Sequence, residues 1–98
     1  MTKAEAQELE NKCDMLMSET LGVKCFVSAS ILDRLRVSFG EHFINVSSDL
    51  SQIQYFQFYG YYDEFEDYCK DILKCIDDNR EVFEKLMWSY KNSLLLTD

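Results

Sequence analysis

The sequence has no proline, only three glycines and a single histidine in 98 residues. With no proline and no Gly/Ser-rich run it carries no linker or low-complexity signature, and its composition is that of a globular chain, neither disordered nor collagen-like. Cations are scarce, 10 Lys and Arg against 18 Asp and Glu, for a formal charge of −8. A chain with no basic surplus cannot neutralise a row of phosphates, so direct nucleic-acid binding is not expected. No apolar run approaches the ~20 residues that span a bilayer. The N-terminal Met-Thr-Lys-Ala-Glu-Ala-Gln-Glu has no apolar signal-peptide core. A cytoplasmic, non-membrane protein is expected, folded as one domain over residues 1–98 around one core.

The usual carriers of chemistry are missing too. There is no G-x-S-x-G, H-E-x-x-H, P-loop or G-x-G-x-x-G. His42 lies beside a tight turn with no orienting Asp or Asn in evidence, so a structural role is expected. Cys25 and His42 fall on the first and third predicted strands, which need not be neighbours. Cys13, Cys25, Cys69 and Cys75 show no zinc-type C-x₂₋₄-C pair. Cys69 and Cys75 are six apart on a predicted helix, which turns them about 240° from each other. They read as reduced thiols filling the core. No enzyme, metal or cofactor is expected.

What is present is periodicity. Thr2 and Glu5 form a capping-box pair, and Ala6, Leu9, Cys13, Leu16, Met17 and Leu21 line one face of a helix that Gly22 stops. The period then changes to two. Val23, Cys25, Val27 and Ala29 alternate with Lys24, Phe26, Ser28 and Ser30 in a first strand. Leu35, Val37 and Phe39 alternate with Arg34, Arg36 and Ser38 in a second. Gly40-Glu41 suits a type II′ turn, and His42–Ser47 returns. A two-residue loop at 40–41 pairs Phe39 with His42, Val37 with Ile44 and Leu35 with Val46, which gathers the apolar set on one face. Residues 52–59 read as a fourth strand with a bulge near Tyr55-Phe56; a helix starting at Ser48 or Asp49 is the rival.

From Asp63, paired as a cap with Glu66, a helical stripe runs through Phe65, Tyr68, Cys69, Ile72, Leu73 and Ile76. Phe83, Met87, Tyr90 and Leu94 resume its phase. Asp77-Asp78-Asn79 favours two helices over one kinked helix, with Asp78 and Glu81 as a second cap-like pair. The fold class is therefore α+β: an N-terminal helix, a three- to four-stranded antiparallel sheet, and one long or two shorter C-terminal helices packed on one sheet face. The other face carries Lys24, Phe26, Arg34, Arg36, Phe43 and Asn45, and is either solvated or an interface.

Two features point to binding. Eight aromatics crowd into the fourteen residues from Tyr55 to Tyr68. Alternation cannot bury both members of Tyr55-Phe56, Phe58-Tyr59 or Tyr61-Tyr62, so several rings, Tyr59, Tyr61 and Tyr62 among them, are expected at the surface, where tyrosine favours contacts. Asp63, Asp67 and Asp71 lie four apart, and Glu64 and Asp78 extend the same polar side. Carboxylates about 5–6 Å apart mimic a row of phosphates in sign and rough spacing. Glu66–Lys70 and Glu81–Lys85 are ordinary helical ion pairs. Residues 50–98 hold 10 acids and 5 bases, so the aromatic cluster falls in the more acidic half.

The expected function is a non-enzymatic protein-binding module, an inhibitor or adaptor docking Tyr59, Tyr61, Tyr62, Asp63, Glu64, Asp67, Asp71 and Asp78 on the basic groove of a nucleic-acid-binding partner. In size, acidity and element order over the whole chain, it resembles small phage-encoded inhibitors, including anti-CRISPR proteins and DNA mimics, and small bacterial immunity proteins. A phage-type anti-defence role is what that resemblance implies. The alternative is a homodimeric structural or chaperone-like protein using the outer sheet face or the C-terminal helix with Trp88.

Overall fold

A computed structural model describes residues 2–29, 34–58, 60 and 62–91, with the backbone alone at 62, 63, 90 and 91. Seven elements follow in order: α1 (Lys3–Leu21), β1 (Phe26–Ala29), β2 (Leu35–Phe39), β3 (His42–Val46), β4 (Ile53–Gln57), α2 (Tyr62–Asp78) and α3 (Arg80–Lys91). The arrangement is α+β, an antiparallel meander in the order β1-β2-β3-β4 with the helices on one face.

Local chemistry sets the boundaries. The Thr2 hydroxyl accepts from the Glu5 amide at 3.1 Å, closing the start of α1. Gly22 ends it in the left-handed region (φ 73), donating its amide to Ser18 O at 2.9 Å. The β2–β3 register pairs Phe39 with His42, Val37 with Ile44 and Leu35 with Val46. Gly40 has φ 57, as the first loop position of a II′ turn demands. Residues 53–57 are a strand, which settles the choice against a helix there. The bulge falls at Gln54, between Ile53 opposite Val46 and Tyr55 opposite Asn45, one residue before the predicted place.

Three boundaries differ from the sequence expectation. β1 starts at Phe26, because residues 23–25 climb from the helix cap to the sheet; Val23 stays exposed while Cys25 is buried. α2 already includes Asp63, so that residue sits in the first turn and is not the cap. The helices do break where Asp77-Asp78-Asn79 indicated, but the junction residue is Asn79. Its carbonyl accepts from Val82 and Phe83, and its side-chain amide donates to Cys75 O at 2.9 Å.

The core lies between sheet and helices. Val27, Leu35, Val37, Ile44 and Val46 from the strands meet Cys13 and Met17 of α1, Ile72, Cys75 and Ile76 of α2, and Phe83, Leu86 and Met87 of α3. Cys13 and Met17 vindicate the α1 stripe, whereas Cys75 and Leu86 are buried beside the stripes read for α2 and α3. Tyr90 lies in α3 by its backbone, and Leu94 falls outside the described residues. Side chains of α1 also close the β1 edge: Asp14 Oδ1 accepts from the Val27 amide at 2.5 Å and Ser18 Oγ from the Cys25 amide at 2.8 Å. A strand edge so covered is withdrawn from pairing with other chains.

A candidate protein-docking surface

Charge of both signs collects on the helices, which hold seven of the ten Lys and Arg residues. The four strands hold no acidic residue, and the three helices hold 14 of the 18 acids. The reason is periodic: each helix buries one stripe, so its charges collect on the opposite side.

On α2, Glu64, Asp67, Asp71 and Asp78 are all exposed and share one side at steps of three, four and seven. The structure therefore assembles four of the predicted site residues. Asp63 and Tyr62 belong to the first turn of the same helix by their backbone, and Tyr59 and Tyr61 lie outside the described residues. The stripe is not uniform. Towards its C-terminal end Lys74 pairs with Asp78 at 3.2 Å and Arg80 with Asp77 at 3.6 Å. Arg80 also meets Glu84 at 3.5 Å, and Lys85 meets Glu81 at 3.0 Å. The Glu66–Lys70 pair expected from spacing is not among the ion pairs of the described residues. On α2 the acids outside these pairs, Glu64, Glu66, Asp67 and Asp71, run from its first turn to its middle, and the acids of α1 also lie outside them. Acids in the first turn complement the helix dipole, but Asp71 lies beyond its reach.

The aromatic run divides between two surfaces. Tyr55 points to the outer sheet face with Phe43 (ring centroids 6.4 Å apart), and Phe56 points to the helix side against Phe65 (4.2 Å). Both remain about half exposed, Tyr55 at 53% and Phe56 at 49%. Phe58, Phe65 and Tyr68 pack against the core as expected, with Phe58 stacked on His42 at 4.4 Å and Tyr68 against Phe39 at 4.9 Å. His42 thus serves as an aromatic packing partner. β2 separates its strand from β1, which Cys25 immediately precedes.

Where β4 gives way to α2, a shallow cleft of about 210 Å³ is lined by Phe56, Phe58, Gly60 and Phe65. The Glu64 carboxylate closes over Gly60: a Cβ there would stand 3.2 Å from Glu64 Oε2 and 2.7 Å from Phe58 Cε1. Exposed ring and unmatched carboxylate are contiguous at this point. Phe56 and Gly60 are the residues sequence reasoning missed. The only available signal was the glycine standing between the aromatic run and the acidic helix.

The four thiols offer little nucleophilic chemistry. All are free, and burial pushes Cys13 up to about 12 and Cys25 up to about 11, with Cys69 and Cys75 also raised. Among the described residues no group of three or more His, Cys, Asp or Glu is placed to hold a metal ion, and no helix is long and apolar enough to cross a membrane. No protein-family model matches the chain, nor does any curated protein or solved structure.

Proposed function

We propose that this protein is a non-enzymatic binding module, an inhibitor or adaptor that docks the first half of α2 on a basic surface of a partner protein, of the kind that otherwise holds nucleic acid. A phage-type anti-defence role belongs to this reading. The observation that carries it is the exposed stripe of Glu64, Asp67 and Asp71, outside the ion pairs of the C-terminal half, with Glu64 beside Gly60 at the cleft that the half-exposed Phe56 lines. The carboxylates speed encounter with a positive surface, and the ring supplies apolar area that slows release. The test is Asp67→Lys with Asp71→Lys, assayed against a nucleic-acid-binding partner isolated from the source cytosol. Binding should fall at least about a hundredfold with far-ultraviolet CD unchanged, and wild-type affinity should drop steeply between 50 and 300 mM salt. Unchanged affinity in the double variant removes this face.

The homodimer reading has its own observation: Phe26 on the outer sheet face is 56% exposed, and Trp88 on α3 is 57% exposed. A dimer by light scattering that persists in the charge-reversal variant and dissociates on Phe26→Ser would favour it.

A further inference from the structure

The two edges of the sheet are not alike. At β1 the side chains of α1 take the outward amides, Asp14 that of Val27 and Ser18 that of Cys25. At β4 alternation fixes which groups are left open. A two-residue loop makes Phe39 and His42 exchange both backbone bonds, and Val37 with Ile44 and Leu35 with Val46 do the same. The intervening Phe43 and Asn45 then turn their amides and carbonyls to β4, where they meet Gln57 and Tyr55. Two bonds agree with this phase. Ser47 donates its amide to Gln52 O at 2.7 Å, and Val27, opposite Val37, has the outward amide that Asp14 takes. Phe56 lies between Tyr55 and Gln57, so its amide and carbonyl point away from β3. No backbone bond to another described residue occupies them.

The strand also lacks most of the devices that protect an edge. It reads Ile-Gln-Tyr-Phe-Gln, with neither charge nor proline. The bulge is the one such device, and it lies at Gln54, before Tyr55, which leaves Phe56 clear. Tyr55 on the outer face and Phe56 on the helix face are both half exposed at this edge. Main-chain groups and flanking rings together are what an added strand uses, the first for affinity and the second for selection.

Charge decides the occupant. Glu64 stands at the cleft that Phe56 lines, and Asp67 and Asp71 continue along α2. A second copy paired about Phe56 would bring two such acidic helix starts together, whereas a basic strand would meet one with opposite charge. We propose that an extended basic segment of the partner protein adds to β4 as a fifth, antiparallel strand. Its backbone bonds to Phe56, and its lysine or arginine side chains on the helix side face Glu64. This rests on the reading of a basic partner and adds how that partner is held.

The probe is acetyl-Val-Lys-Val-Lys-Val-amide, titrated into the full chain. In antiparallel pairing the residue opposite Phe56 shares its face, so a lysine there exchanges bonds with Phe56 while the valine amides point away. At saturation the peptide should slow hydrogen exchange of the Phe56 amide at least about tenfold and leave that of Tyr55 unchanged. N-methylation of both lysine amides should weaken binding at least about tenfold, and N-methylation of the valine amides less than about twofold, although all three peptides carry the same charge. Equal binding of the lysine-methylated peptide, or an unprotected Phe56 amide, would overturn the assignment. So would protection that rises with protein concentration in the absence of peptide, which would make a second copy the occupant. The α2 reading is separable. Shifts of the Glu64, Asp67 and Asp71 amides by all three peptides alike, with Phe56 unprotected, would remove the strand and keep the acidic face. Protection of Phe56 at wild-type affinity in Asp67→Lys with Asp71→Lys would keep the strand and remove that face.

Discussion

Asp14 holds the sheet edge at the cost of its own charge, and this can be separated by substitution. Its Oδ1 accepts from the Val27 amide at 2.5 Å, on a residue that is 1% exposed. Burial nevertheless raises its pKa above the ordinary 3.8, outweighing the lowering from that bond. Asp14→Asn keeps an acceptor for Val27 and discards the half-buried charge. Asp14→Ala leaves the amide without a partner. The alanine variant should lose about 2 kcal/mol, the desolvation penalty of one buried donor, and the asparagine variant less than about 0.5. At about 4–8 °C per kcal/mol for a domain of this size, the alanine variant should melt about 10 °C lower. Urea titration gives the free energies, and amide exchange of Val27 reports the bond itself. The pH dependence has a definite sign. A carboxyl whose pKa is raised on folding binds its proton more tightly in the folded state, so its contribution to stability grows as pH falls through the folded pKa towards 3.8. That growth should be missing from Asp14→Asn. Equal losses in the two variants, with Val27 exchange unchanged, would show that the side chain does not hold the edge.

Arg80→Lys retains a charge for Asp77 and Glu84 but cannot fork onto Asp49 O and Leu50 O, so it should cost about 1 kcal/mol and Arg80→Ala about 2 by urea titration; a silent lysine variant would leave the carbonyl bonds without energetic weight. Gly60→Ala should destabilise by about 1 kcal/mol and alter the near-ultraviolet CD, because the new methyl meets the Phe58 ring, which His42 and Phe65 hold in place. Wild-type stability would mean that the ring yields freely. Asp49 behaves opposite to Asp14: its folded pKa of about 2 lies below 3.8, so its contribution is complete above pH 3.8 and is lost as pH falls towards 2. Asp49→Asn should flatten that part of an acid-unfolding curve, and an unchanged curve would refute the role of the Ser47 and Ser51 hydroxyls.

The hairpin was legible in the sequence because two independent signals agree. The period-two pattern of Leu35–Phe39 and the glycine of the turn demand one register, and a slip by one residue would turn Val37 and Ile44 out to solvent. The helix break was legible because Asp77, Asp78 and Asn79 all favour caps and turns over helix interiors. The aromatic run was less so. With the bulge at Gln54, Tyr55 pairs with Asn45 on the outer face and Phe56 with Ile44 on the helix side, and no local pattern fixes where the extra residue goes. Leu50 was not legible at all. It is buried at φ 62, a conformation that leucine avoids, because the core beneath the loop takes its side chain and Arg80, 30 residues away, pins its carbonyl. Trp88 follows the buried Met87 in sequence, yet about 100° of helical rotation separates the two, enough to carry the indole out of the core.

The exposure of the α2 acids follows from periodicity, but their meaning depends on what stands opposite them across the molecule. Arg36, on the outer sheet face, lies over the Phe43 ring at 4.6 Å and donates to Asn45 Oδ1 at 3.1 Å. Lys24 lies over Phe26 at 5.4 Å. Arg36 and Lys24 are thus held by rings and an amide, while the helices carry most of the carboxylates together with seven of the ten cations. With Lys74, Arg80 and Lys85 paired to Asp78, Asp77, Glu84 and Glu81, the net charge of −8 leaves Glu64, Asp67 and Asp71 outside those pairs, and it is their field that the proposed docking on a basic partner would use.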